Sequence, residues 1–340
     1  MSQPPSRPPA RRPVARTPAP TPEVKRTSPR RTGIIVSAIV LGVLGLAIGI
    51  GYYAIYVMPL QDTIIKVNDR EISIGYFIQR MRTAGTTEDI FSMIEAVTNE
   101  ELIRQGAPRY GIEVTENEVM DELRDSARGE NESISEPEFR TWYRNQLNES
   151  GLSEKDFLEL VRTSILANRL QEYLSGRVSP VAEQVHLHYM LLPSYEEAED
   201  AATRLEDGAN FAELARELSI DTESAEEGGD MGWWPRAAMG LRYDTVFVTP
   251  PQWLFDLGIG EVSTPTMLDQ EAGLFAIFTV SDRAMAREME ENKLEIVKGR
   301  QLEFWLNAET AAQNVTLHGR NNGFDSETHA WIQWQLSRGG

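Results

Sequence analysis

At 340 residues the chain is long enough for about two folded domains, and its 52 acidic and 33 basic residues give a formal net charge of −19. Such a surface repels phosphate groups, which excludes nucleic acids as partners. The chain has no cysteine, so disulfides, cysteine metal sites and a thiol nucleophile are excluded as well.

Residues 1–32 form a basic, proline-rich tail. They carry eight Arg or Lys residues and the single acid Glu23, whereas the remainder of the chain carries 25 basic and 51 acidic residues. The tail has almost no large apolar residues and cannot bury enough surface to offset its ordering entropy. It is predicted to be a disordered cytoplasmic segment.

An uncharged apolar run of 25 residues follows at 34–58. A helix needs about 20 such residues to cross the hydrocarbon layer. Two arginines flank the start of the run and three tyrosines gather at its end, as at a membrane interface. The pattern predicts a signal-anchor helix in the lipid bilayer at 33–58, with every later residue extracytoplasmic. A cleaved signal peptide is the alternative, but its apolar core is ordinarily only about 7–15 residues long.

Residues 59–180 read as a helical lobe that opens with a short strand. Ile64–Val67 are strand-like, and Asn68-Asp69 form a turn. Further on, Thr115-Glu-Asn-Glu118 is a capping box, and Ser153-Glu-Lys-Asp156 similarly begins a helix.

From residue 181 the pattern changes to mixed strands and helices. Strands are predicted at Val185–Leu192 and Gly273–Val280, helices at Tyr195–Leu205 and Asn210–Leu218, and a long final helix at Met285–Gln313. The order indicates an α+β fold class. The final helix is expected to pack back on the helical lobe, with a tail after it.

The predicted domains are therefore a helical lobe formed by residues 59–180 and 284–340, and an α+β domain inserted at 181–283.

Few classical catalytic arrangements are available to this sequence. Only four histidines occur and there is no GxSxG motif, which argues against a nucleophilic triad. His186-Leu-His188 places two imidazoles on one face of a strand, at a spacing that can chelate a metal. Since nothing nearby in the sequence supplies an obvious third ligand, no metal is predicted.

A series of spaced segments carries the functional signal. These are HYML at 188–191, GANFAELARELSIDTESAEEGGDMGWW at 208–234, Met239, and FDLGIGEVSTPT at 255–266. In this order they resemble the parvulin (PpiC-type) peptidyl-prolyl cis–trans isomerases over about residues 183–283. The strand and turn Val67-Asn-Asp-Arg-Glu-Ile72 is similar to the start of the helical lobe in the SurA/PrsA group of exported chaperone-isomerases.

The resemblance implies a parvulin-like domain that needs no cofactor, inserted in a chaperone-like helical lobe. It also implies that unfolded exported polypeptides with X–Pro bonds are the partners.

The resemblance implies an apolar proline socket lined by Met231, Met239 and Phe255, with a further aromatic residue from the segment 240–253. Phe247 is our choice for that aromatic residue, and Tyr243 is the alternative.

His188 corresponds to one of two histidines at the floor of the family's site. Asp221 corresponds to the Cys or Asp that faces the reacting peptide, although a one-residue insertion leaves Thr222 as an alternative. The family's second histidine, in the last strand, is replaced here by Phe275.

Two functions are therefore expected. The first is a membrane-anchored isomerase that assists the folding of exported proteins, with an apolar socket and polar groups that favour the twisted amide. The second is a holdase of the same fold with weak or no catalysis, for which Phe275 is the sequence signal.

Overall fold

The computed structural model describes residues 29–84, 89–239, 252–270, 272–319 and 323–338, with side chains from Ser37 onward. The chain divides into two compact units, Met1–Pro59 and Leu60–Gly340. In the first unit, helix α1 (Pro29–Tyr52) continues into a π-helical turn, Tyr53–Val57. Its large apolar side chains between residues 39 and 50 are at least half exposed. By length and composition the segment Ser37–Gln61 could cross a membrane, although a signal sequence has the same properties.

The second unit begins with a helical lobe. Its first elements are β1 (Thr63–Val67), β2 (Arg70–Ser73), α2 (Ile74–Ala84), α3 (Ile90–Gly106), α4 (Glu116–Arg128), α5 (Glu136–Ser150) and α6 (Glu154–Ser175). The β1–β2 turn places Asn68 at a positive φ of 55°, a conformation that asparagine tolerates well. Thr115 and Glu118 form the predicted capping box of α4, and Ser153 caps α6. The local signals therefore set the starts of these helices.

The α+β module follows the lobe in the chain. Its elements are β3 (Val181–Leu192), α7 (Tyr195–Glu206), α8 (Phe211–Leu218), α9 (Thr222–Glu226), β4 (Asp230–Pro235), β5 (Thr266–Asp269) and β6 (Leu274–Glu288). They form an antiparallel sheet of order β4-β3-β6-β5, so β3 and β6 are central. The sequence predicted β3 and the first half of β6, but it did not predict β4.

Two buried clusters pack against this sheet. The Met239 cluster includes Val185, Leu187, Tyr189, Trp234, Met239, Leu254, Phe255, Phe278 and Val280. The Met190 cluster lies under α7 and α8 and includes Met190, Leu192, Ala198, Ala201, Leu214, Ala215 and Ile277. Because strand side chains alternate, β3 supplies its odd-numbered residues to the first cluster and its even-numbered ones to the second.

The chain then returns to the helical lobe. The last elements are α10 (Glu291–Gly299), α11 (Gln301–Ala312), β7 (Val315–Leu317) and α12 (Ser326–Ser337). Strand β7 pairs with β1 to complete a sheet of order β2-β1-β7. Helix α11 packs on α3 and α6, and α12 packs on α2. Both ends of this unit thus build the lobe, and the α+β module lies between them in sequence.

The predicted final helix, Met285–Gln313, is wrong at its start. Residues 285–288 are the end of β6, where Arg287 and Glu288 pair with Ala182 and Val181 of β3. The stretch Ala284-Met-Ala-Arg-Glu288 has good helix formers, but pairing with a long central strand overrides that local preference. The helical region begins only at Glu291 and is divided at Arg300 into α10 and α11.

Candidate functional site

Strand β3 separates the predicted catalytic residues. His188 and Tyr189 are consecutive in β3, and they pair in regular register with Thr279 and Phe278 of β6. Successive side chains of a strand point to opposite faces. His188 therefore lies on the face opposite Tyr189 and the Met239 cluster.

Asp221 lies on the Tyr189 side. It is the N-cap residue of α9, and its carboxylate accepts hydrogen bonds from the hydroxyl of Tyr189 and, at 2.6 Å, from that of Ser224. Burial disfavours the charged form, but these two hydrogen bonds, together with those from the backbone of Glu223 and Ser224, outweigh it and hold the pKa of Asp221 below its usual value. Burial and the neighbouring Asp221 both raise the pKa of Tyr189. The site thus presents a carboxylate that is held ionised by neutral donors.

The alternative residue, Thr222, is the first residue of α9, and it is exposed. Of the two residues that the sequence left open, Asp221 is the one that contacts the sheet.

The predicted socket residues belong to a single cluster. Met239 is 0% exposed and Phe255 is 2% exposed, while Met231 is partly buried against the same cluster. Arg236 and Arg283 lie over the Phe255 ring at 4.3 and 5.0 Å from its centroid. Phe247 and its alternative Tyr243 lie outside the described residues. The structure therefore brings together Met231, Met239, Phe255 and the Asp221–Tyr189 pair.

A glycine turn holds the start of β4, which carries Met231, against β3. Gly228 and Gly229 have φ of 73° and 79°, which favours glycine. A Cβ added to Gly229 would lie 2.1 Å from the carbonyl oxygen of Tyr189, and the carbonyl of Gly229 accepts a hydrogen bond from Tyr189 N at 2.8 Å. Only glycine allows this approach. The GGD motif thus brings the start of β4 into close contact with the central strand β3.

His188 has a separate set of partners on the other face. Its Nε2 lies 3.0 Å from Oγ of Ser281, which is also 2.8 Å from Nδ1 of His186. The two imidazole rings are 5.1 Å apart, edge to face. Burial lowers the pKa of His188 against the opposing effect of Asp230, so the ring is neutral at neutral pH. Sequence reasoning did not identify Ser281, which no motif distinguishes.

Phe275 does not lie beside His188. It pairs with Leu192, four residues along β3, and its ring packs edge to face with Tyr195 at 5.5 Å. Four residues of strand span about 13 Å. In this fold the second imidazole near His188 comes from its own strand, at His186.

Three side chains could together hold a metal ion. The ligand atoms of His186, His188 and Asp230 all lie within 4.8 Å of one another. The sequence offered no third ligand because Asp230 is 42 residues from His188 in the chain and reaches it only through the β3–β4 pairing.

Comparison with protein families identifies two parts of the chain. The PPIC-type PPIASE domain family matches residues 193–282, and the SurA-like N-terminal domain family matches residues 26–171. The chain thus carries a PpiC-type peptidyl-prolyl isomerase domain preceded by a SurA-like domain. The first match includes Asp221, Met231, Met239 and Phe255 and begins after His188.

Named relatives align with parts of this chain at low identity. The foldase protein PrsA of Oceanobacillus iheyensis is 25% identical over 220 residues, which are 62% of this chain and 70% of the relative. The periplasmic chaperone PpiD of Haemophilus ducreyi is 32% identical over 147 residues, 43% of this chain and 22% of the relative. The crystal structure of PrsA from Bacillus anthracis aligns with 65% of this chain and 96% of its own at 20% identity, with a TM-score of 0.34.

Proposed function

We propose that this protein is a membrane-anchored peptidyl-prolyl cis–trans isomerase that assists the folding of exported polypeptides. The observation that carries the proposal is the Asp221 carboxylate, hydrogen-bonded to Tyr189 of the cluster that also holds Met231 and Met239. Asp221 and both methionines lie inside the segment that matches the PpiC-type domain. The PrsA and PpiD relatives, named as a foldase and a periplasmic chaperone, support the same cellular role.

The chemistry requires no bond to break. Rotation about an X–Pro bond crosses a barrier of about 18–20 kcal/mol because the planar amide loses resonance. A catalyst needs an apolar socket for the proline ring and a polar group that favours the twisted amide. Met231, Met239, Phe255 and Phe247 would form the socket, and methionine adapts its shape to varied neighbours.

Asp221 would act as a fixed negative charge beside the rotating peptide. Its carboxylate is ionised and oriented by Tyr189 and Ser224 before substrate arrives. A preoriented charge acts without reorganisation at the moment of rotation. His188, on the other sheet face, would be a positioning residue that contacts the Ser281 hydroxyl of β6 at 3.0 Å.

The test is a protease-coupled assay of Ala-X-Pro-Phe peptides with the full chain in detergent micelles. We expect a rate above the uncatalysed one that falls about tenfold or more in Asp221→Asn, because the neutral amide cannot supply the charge. Glu223→Gln is the matched control, since it removes a charge from the exposed face of the same short helix. No catalysis by the wild type would refute the isomerase. Equal rates in both variants would show that Asp221 is not the catalytic group.

A holdase is the second candidate, and the burial of the socket favours it. Met239 and Phe255 are closed to solvent, so a proline ring enters only if the neighbouring chain moves. The helical lobe meanwhile offers an open groove of about 530 Å³ lined by Ile103, Leu123, Leu160 and Val161, among other residues. Suppression of client aggregation by a chain without isomerase activity would support this candidate.

The anchor would hold the folded domains outside the cytoplasm. The exposed apolar helix α1 and the basic tail before it support this orientation. Because the chain has no cysteine, single cysteines report topology cleanly. In sealed right-side-out vesicles we expect an impermeant maleimide to label Glu206→Cys and to leave Ser6→Cys unlabelled until the vesicles are opened. The reverse labelling pattern would show the opposite topology. Loss of the first residues from the mature chain would indicate a cleaved signal peptide.

A further inference from the structure

We propose that His186, His188 and Asp230 form a binding site for Zn²⁺ that joins β3 to β4. The site lies on the sheet face opposite the Asp221–Tyr189 pair. Two imidazoles and one carboxylate are an ordinary protein ligand set for zinc, with a fourth position left to water.

The geometry is close to that of a metal site. Nε2 of His186 lies 3.1 Å from Oδ1 of Asp230, and two ligand atoms about 2.0–2.1 Å from one tetrahedral ion are separated by about 3.3 Å. The third ligand atom, on His188, lies within 4.8 Å of the other two. Small side-chain rotations therefore complete the coordination without movement of the strands.

Outer partners already orient the three ligands. Asp230 accepts a hydrogen bond from Gly232 N at 2.7 Å, and the Ser281 hydroxyl contacts Nδ1 of His186 at 2.8 Å. Nε2 of His188 lies 3.0 Å from the same hydroxyl. Metal-binding histidines and carboxylates are commonly fixed in this way by a second partner.

The hydroxyl of Ser281 favours a free lone pair on His186. It donates its proton to the His186 carbonyl oxygen at 3.3 Å, so it accepts from Nδ1 of His186 at 2.8 Å. With its proton on Nδ1, the His186 ring directs the lone pair of Nε2 at the Asp230 carboxylate, 3.1 Å away. Such a pair of acceptors attracts a cation.

The ion also has access to the site. The side chains of His186 and Asp230 are 23% and 33% exposed, so an ion reaches them without unfolding of the domain. The net charge of −19 raises the local concentration of cations. A bound ion would connect β3 to the start of β4 and would stabilise the module by mass action.

The test is Zn²⁺ binding to the metal-free full chain in detergent, measured by competition with a chromophoric chelator. We expect one Zn²⁺ per chain, and at least about tenfold weaker binding in His186→Gln and in Asp230→Asn. His318→Gln, which changes a histidine in the other lobe, should bind Zn²⁺ as the wild type does. A Zn²⁺-dependent rise in the thermal unfolding midpoint should follow the same pattern.

Asp230→Asn keeps an oxygen acceptor for Gly232, so this variant should fold even if His186→Gln does not. No Zn²⁺ binding by the wild type would overturn the proposal and leave a proton between His186 and Asp230. Undiminished binding in both His186→Gln and Asp230→Asn would also overturn it.

Discussion

At the scale of single residues, the hydrogen-bonded pair Asp221 and Tyr189 lies at the centre of the proposed site. The sequence pointed to Asp221 through its position in a motif series, but it left Thr222 open because an inserted residue shifts the spacing. Tyr189 could not be found from the sequence. As an aromatic residue within an apolar strand it is indistinguishable from core, and only the approach of the α9 N-terminus to β3 gives its hydroxyl a partner.

Removing the Tyr189 hydroxyl should raise the pKa of Asp221 and destabilise the fold. At neutral pH we expect Tyr189→Phe to lose about 1–3 kcal/mol, since a hydrogen bond to a charged group disappears. Asp221 has a folded-state pKa below its unfolded value of about 3.9, so its contribution is present above that pH and is lost as the pH falls through the folded pKa. The deficit of the variant should therefore shrink in acid.

Two measurements check this pair: thermal unfolding midpoints at several pH values, and an NMR titration of the Asp221 carboxyl carbon. A deficit independent of pH, or an unchanged carboxyl pKa in the variant, would mean that the hydrogen bond does not stabilise the ionised form.

At the scale of elements, the glycine turn and the pairing with the central strands determine the structure that the sequence did not predict. The sequence predicted most elements with strong local signals, such as the capped helices α4 and α6. It did not predict β4, whose Asp230–Pro235 segment is marked by glycine and tryptophan rather than by alternation, or the end of β6. Both depend on pairing with β3, which is a tertiary effect that local propensity cannot report.

Gly229→Ala should be far more damaging than a similar change in an open turn. Gly208 and Gly229 both have positive φ, at 94° and 79°, so alanine is strained at either site by about 1–2 kcal/mol. Only at Gly229 would the new Cβ also collide with the Tyr189 carbonyl, at 2.1 Å, whereas the Cβ at Gly208 meets nothing within 4 Å. We expect Gly229→Ala to cost about 3 kcal/mol or more.

The comparison of the two thermal midpoints isolates the close approach from the backbone strain. Equal losses for Gly208→Ala and Gly229→Ala would show that the turn tolerates a side chain there, and that the GGD motif has no steric role against β3.

At the scale of the whole molecule the helical lobe depends on both ends of the second unit. The sequence suggested this from the order of its elements, but the domain boundaries at 59–180, 181–283 and 284–340 remain predictions. No sequence signal indicated β7 or α12. A three-residue strand and a short helix beyond a polar loop are stabilised mainly by their packing on β1 and α2, which local sequence does not report.

Ile332 provides a test of how much α12 contributes to the helical lobe. It is a fully buried α12 residue in the cluster that contains the β1 isoleucines, so Ile332→Ala should cost about 2–5 kcal/mol. Ile296→Ala, in α10, is the control at a side chain that is 39% exposed, and it should cost under about 1 kcal/mol. Denaturant midpoints compare the two. Equal small losses would mean that α12 contributes little to the lobe.

The proposed activity of the chain is catalysis of X–Pro rotation at the Asp221 side of the sheet. The most direct measurement is NMR exchange spectroscopy of an Ala-Pro peptide with a catalytic amount of the full chain in detergent. We predict exchange cross-peaks between the cis and trans proline resonances, strongly reduced in Asp221→Asn and retained in Glu223→Gln. Shifts that report binding, with no cis–trans exchange, would contradict the claim and leave a protein that holds its clients without isomerising them.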